Sequence, residues 1–177
     1  MKRVIINLIL IITFLIIYFL HANLFTWFTI AGVMPNLFVI LILFIGLYGH
    51  KFMGVTYGVI LGVLLDSFIG KKLGMNAIML GIVGIIGMMF DRNFSKENRI
   101  TLIIMVMMTT FIFETGEYIL NYFINKSTLD IIPFVQTLVI ECIYNGLITI
   151  IIYPFIKMFG NKIETEYKGN KILTRYF

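Results

Sequence analysis

Residues 54–70 read GVTYGVILGVLLDSFIG, with Gly54, Gly58, Gly62, Asp66 and Gly70 at every fourth position. Residues four apart lie on nearly one face of an α-helix. The stretch therefore predicts an apolar helix, Phe52–Phe68, with a row of small residues ending in a carboxylate. Such a row lets a second helix backbone approach closely, the usual packing device between helices in lipid. Two readings of the row are open. The glycines act in packing alone, or the groove also leads to a buried contact or orienting hydrogen bond at Asp66.

The next segment has a related pattern. Gly81, Gly84 and Gly87 recur at spacing three, and Gly74 and Asn76 open the span Gly74–Phe90. The two spans are joined by a short polar turn, so an intimate hairpin is expected. Around it the whole chain is apolar. Of 177 residues 60% are hydrophobic and 13% charged, with mean hydropathy +0.99. Soluble domains carry roughly 25% charged residues. This composition excludes a soluble domain, and the single cysteine excludes a disulfide scaffold.

A membrane-crossing helix needs about 20 mostly apolar residues. Six spans are read: Val4–Leu20, a second ending at Tyr48, Phe52–Phe68, Gly74–Phe90, Ile100–Ile124 and Ile131–Ile156. They use on the order of 120 of the 177 residues and leave no room for a soluble catalytic domain. The expected organisation is a six-helix all-α membrane domain, 1–156, and a basic tail, 157–177. The second span is short from Asn36 to Tyr48. Either it begins before Pro35 and kinks there, or Leu24–Met34 is a re-entrant or interfacial segment. The second is the expectation.

Charge sets the orientation. Lys2 and Arg3 precede the first span. With six spans, eleven of the fourteen basic residues fall on the N-terminal side and three, Lys71, Lys72 and Lys126, on the other. By the positive-inside rule both termini face the cytoplasm. The residues after Leu20 show no small-x-small cleavage pattern, so an uncleaved first span is expected. The basic tail suits anchoring to anionic lipid.

Four of the nine acidic residues fall inside spans. Asp66 ends the third. Glu114 and Glu117 share a face of the fifth with Tyr118 and Asn121. Glu141 shares a face of the sixth with Thr137, Asn145 and Thr149. A carboxylate at the bilayer centre costs roughly 2.5–3.5 kcal/mol, so these groups must mostly avoid lipid. One reading has them hydrogen-bonded in the bundle to Asn145, Gln136, Tyr118 or Tyr144, or touching a partner. The other makes them an ion or proton site. Soluble-type catalysis finds no motif here: P-loop, dinucleotide fingerprint and metalloprotease signature are all lacking. His21 and His50 are expected on opposite membrane faces, and Cys142 reads as a packing residue. No catalytic residue, metal ligand, cofactor or nucleic-acid partner is expected.

Residues 34–77, MPNLFVILILFIGLYGHKFMGVTYGVILGVLLDSFIGKKLGMNA, resemble the core of the bacterial rod shape-determining MreD family. The likeness rests on Pro35, the Gly54/Gly58/Gly62 row, Asp66, and Leu73-Gly74-Met75-Asn76-Ala77. The ending YNGLITIIIYPFIK resembles the family's last span, with Asn145, Tyr153 and Pro154. Glu114 and Glu117 map onto no family pattern. The resemblance implies a non-catalytic scaffold of the cell-wall elongation complex in the bacterial cytoplasmic membrane. It implies MreC as main partner, with RodA, a penicillin-binding transpeptidase and MreB in the same complex. It also implies a bundle like the six-helix S components of energy-coupling-factor transporters. On that view Gly54, Gly58, Gly62, Asp66, Gly74, Asn76 and Asn145 serve helix packing or partner binding. An S component of a vitamin importer is the alternative. Those proteins usually carry an Ala-x-x-x-Ala-type patch on the first helix, and VIINLILIITFLIIYFL has no alanine. A proton- or cation-coupled carrier is a third reading, resting on Glu114, Glu117 and Glu141.

Overall fold

A computed structural model of the chain describes residues 2–69, 74–94, 96, 98–125 and 130–169. It contains six helices: α1 (Lys2–Asn23), α2 (Leu37–Tyr48), α3 (Met53–Ile69), α4 (Met75–Asn93), α5 (Arg99–Asn125) and α6 (Ile131–Lys168). The only extended pairing among the described residues is an isolated bridge between Ile30 and Val33. The chain is all-α, as the apolar periodicity predicts. Gly70, Lys71, Lys72, Leu73, Lys126 and the end of the tail, residues 170–177, lie outside the described residues.

The helices run alternately up and down. The start of α1, the end of α2 and the end of α6 meet at one end, where Lys2 pairs with Glu166 at 3.4 Å and Lys168 donates to the Leu47 carbonyl at 3.0 Å. This is the basic end, which carries most of the basic residues. The opposite end holds Asp66 and the start of α4.

Helices α1, α4, α5 and α6 are long and apolar enough to cross a membrane. Helix α2, with 12 residues, is about 18 Å long, and α3, with 17, about 26 Å. The shortness of α2 has a physical reason. Every residue from Leu37 to Tyr48 except Leu41 is buried, because α1, α3, α4, α5 and α6 all pack on it. A helix wrapped in protein has no lipid thickness to match.

Helix α2 does not begin before Pro35. Asn36 caps it, its side chain accepting from the Val39 N–H at 3.3 Å. The preceding Leu24–Met34 stretch is not helical. It lies over the end opposite the basic one, with Trp27 88% exposed. The Tyr144 hydroxyl ties it down by donating to the Phe28 carbonyl at 2.7 Å.

The boundary drawn at Ile156 is not a helix end. Helix α6 continues twelve residues further, to Lys168, because Gly160, Ile163 and Glu164 are buried against the bundle. Pro154 sits inside α6. Having no N–H, it leaves the Ile150 carbonyl without its usual donor.

Candidate functional site

The glycine row packs backbone against backbone. A Cβ placed on Gly54 would lie 2.6 Å from the Gly46 Cα, and one on Gly62 would lie 2.5 Å from the Ala77 Cα. A Cβ on Gly58 would collide with the Leu80 carbonyl, and one on Gly84 with the Gly54 backbone. In each case the obstacle is backbone, which cannot rotate away. Helices α3 and α4 therefore meet main chain to main chain. The spacing-three row in α4 divides its contacts: Gly84 faces α3, while a Cβ on Gly87 would lie 2.7 Å from the Leu43 carbonyl of α2. The α2 member of this contact, Gly46, sits alone in an apolar run and has no repeat to mark it.

The row leads directly to Asp66, whose side chain is buried. Its carboxylate accepts from the Gly74 N–H at 2.8 Å, the Asn76 N–H at 3.2 Å, the Asn76 Nδ2 at 2.8 Å and the Ala77 N–H at 3.4 Å. These donors stand at the first turn of α4, whose N-cap is Gly74. A helix start leaves four N–H groups unpaired and carries a partial positive charge. A serine or aspartate at the cap position normally answers it. Glycine cannot. At φ +104° Gly74 occupies backbone space that other residues rarely reach, and Asp66 supplies the missing acceptor from the neighbouring helix. Four donors use the carboxylate's roughly four acceptor sites. Asp66 is thus held by Gly74 and Asn76.

A second polar group crosses the bundle between α2, α5 and α6. Asn145 is fully buried. Its Oδ1 accepts from the Asn36 N–H at 2.8 Å, and its Nδ2 donates to the Thr110 hydroxyl at 3.0 Å. One amide thus ties three helices together. Glu141, also buried, has Asn36, Glu114 and Glu117 as its polar neighbours. One carboxyl oxygen of Glu141 has no hydrogen-bond partner. Glu114 and Glu117 are half-buried. The structure brings the three glutamates together. Of the partners expected for them, Tyr144 is spent on Phe28, and the Tyr118 ring stacks on Phe134 at 4.1 Å. Asn36, which sequence reasoning passed over, stands beside Glu141. Among the described residues no group of three His, Cys, Asp or Glu is arranged to hold a metal ion.

The third polar group is at the basic end, and periodicity gave no sign of it. Lys96 is buried. Its Nζ lies 2.6 Å from Asp91, 2.9 Å from Glu164 and 3.1 Å from the Leu47 carbonyl, and 4.8 Å from the centre of the Tyr48 ring. Lys168 binds the other oxygen of Asp91 and the same Leu47 carbonyl. Two lysines so cap the end of α2, where a helix presents unpaired carbonyls and partial negative charge. The basic tail is expected to anchor to anionic lipid. Lys96 is buried between Asp91 and Glu164, and the more open Lys168 shares Asp91 with it. Charge composition marks such residues only as basic, and the separation of 77 residues from Asp91 to Lys168 hides the pairing.

A family model described as rod shape-determining protein MreD matches residues 1–163. No curated protein and no solved structure matches the chain.

Proposed function

The chain belongs to the MreD family of rod shape-determining membrane proteins, and from that premise we propose that it is a non-catalytic scaffold of the cell-wall elongation complex. In this reading it binds MreC first and, through the same complex, RodA, a penicillin-binding transpeptidase and MreB. It sits in the bacterial cytoplasmic membrane with both helix-bearing termini in the cytoplasm. The meeting of Lys2 with Glu166 supports one side for both, and the positive-inside rule makes that side the inner one.

The observation that carries the scaffold reading is the Asp66 cap. Its four acceptor sites are all answered by the first turn of α4. A carboxylate used in this way positions structure. It fixes the α3–α4 hairpin as a rigid unit, and a scaffold needs such a unit to hold partners in register. The test is purification of the tagged full chain in mild detergent with identification of the co-purifying proteins. MreC at near-stoichiometric yield is expected, and Asp66→Leu should reduce it. A transporter module in place of MreC would overturn the reading and favour the importer S component.

The juxtaposed Glu114 and Glu141 favour a second reading, a proton- or cation-coupled carrier. That reading expects pH-dependent uptake into reconstituted vesicles, lost in Glu141→Gln. Vesicles of the parent protein without uptake would remove it.

A further inference from the structure

Helix α1 stands apart from the rest of the bundle. It packs chiefly on α2 and α6, and between the three helices lies a cavity of about 410 Å³. On α1 its lining runs from Ile6 to Leu20, about 21 Å of helix axis. One leaflet of a bilayer core is about 15 Å deep. The groove is therefore long enough to take a lipid tail from the surface to the midplane.

The wall chemistry narrows the occupant. The lining is aliphatic and aromatic apart from Thr13, Lys162 and the rim at Tyr48. The Thr13 hydroxyl is satisfied by the Ile9 carbonyl at 2.8 Å, so the middle of the groove offers a polar solute nothing. Lys162 stands at the basic end. It is the one charged residue on the lining, whereas Lys2, Arg3, Lys96 and Lys168 at the same end are engaged with Glu166, the Tyr167 ring and Asp91. The close contact of Lys162 is the Phe159 ring, 5.6 Å away, and it has no ion pair among the described residues. An apolar channel ending at an uncompensated ammonium matches an acyl chain with an anionic head. Basic pockets between membrane helices bind such headgroups.

We infer that the α1–α2–α6 groove is a binding site for one anionic glycerophospholipid, its acyl chain between α1 and α2 and its phosphate at Lys162. The inference is independent of the scaffold reading.

The test uses the full chain in neutral detergent, with phosphatidylglycerol or phosphatidylcholine of identical chains added at equal mole fraction. Phosphatidylglycerol should raise the unfolding temperature at least about 3 °C more than phosphatidylcholine, as binding to the folded state alone requires. Lys162→Gln, an exposed substitution, should erase the difference between the two lipids. Thr13→Trp, which fills the groove, should erase the response to phosphatidylglycerol. Equal responses of the wild-type chain to both lipids would overturn the proposal, as would a preference that survives in both variants. Stabilisation seen only with a co-purified partner helix, and never with phosphatidylglycerol, would also overturn it and assign the groove to that helix.

Discussion

The two ends of the α2–α3–α4 core are closed by charge in opposite ways. At one end a carboxylate, Asp66, answers the N-terminus of α4. At the other, two ammonium groups, Lys96 and Lys168, answer the C-terminus of α2. The electrostatics are mirror images, since a helix is partly positive at its start and partly negative at its end. The connectivity differs. The Asp66 bonds span 8 to 11 residues, whereas the lysine bonds to Leu47 span 49 and 121. The first is a local device that one hairpin carries by itself. The second exists only once α6 has returned to the far end of the bundle.

The comparison breaks most completely if the surface joining the two ends is spoiled. Gly58→Leu should cost more than about 4 kcal/mol, because the new side chain meets the Leu80 backbone and the helices must part. Thermal unfolding in detergent is expected to show no cooperative transition, while Gly146→Ala, where the nearest atom is 3.6 Å away, should behave as wild type. A wild-type melting curve for Gly58→Leu would refute main-chain packing of α3 on α4.

Asp66→Leu comes next, at about 3–4 kcal/mol, since it leaves buried N–H groups without an acceptor. Asp66→Asn keeps one acceptor oxygen and should cost about half as much. The two variants should unfold in that order, and equal melting temperatures would show that the cap is incidental.

At the basic end Lys96→Met should cost about 2–3 kcal/mol by removing the cation that Asp91 and Glu164 share. Lys168→Met, in a more open position, should cost about 1 kcal/mol or less. Hydrogen exchange locates the damage: Lys96→Met should loosen the far end of α6 and leave the first turn of α4 protected. Loss of protection at α4 instead would mean that the two ends are coupled.

Legibility in the sequence follows this division. The Gly54–Asp66 row could be read because helical spacing places its members on one face, whatever the rest of the chain does. The Asp66–Gly74–Asn76 turn could be read because its members are neighbours in the chain. Asn145 was visible as a polar residue in an apolar span, but its partner Asn36 was not, being 109 residues away. The glutamates were legible as costly and therefore buried or paired. Which groups meet them depended on how α5 and α6 rotate against α2. The tail reads from its charge as a lipid anchor, and nothing in a run of mixed charge shows that Lys168 will meet Asp91 and the Leu47 carbonyl.

The sequence by itself determined the membrane class, the all-α architecture, six helices, and the tight α3–α4 hairpin with its carboxylate. Composition, periodicity and short-range chemistry act before the chain has folded, and a sequence displays them directly. Only the tertiary structure decided that α2 is the wrapped central helix and that α6 runs on to Lys168. Only it sealed Lys96 and Lys168 over the end of α2 and left α1 separated by a groove. Those outcomes depend on which surfaces meet when distant segments pack. Burial and ion pairing between such segments are properties of the assembled bundle.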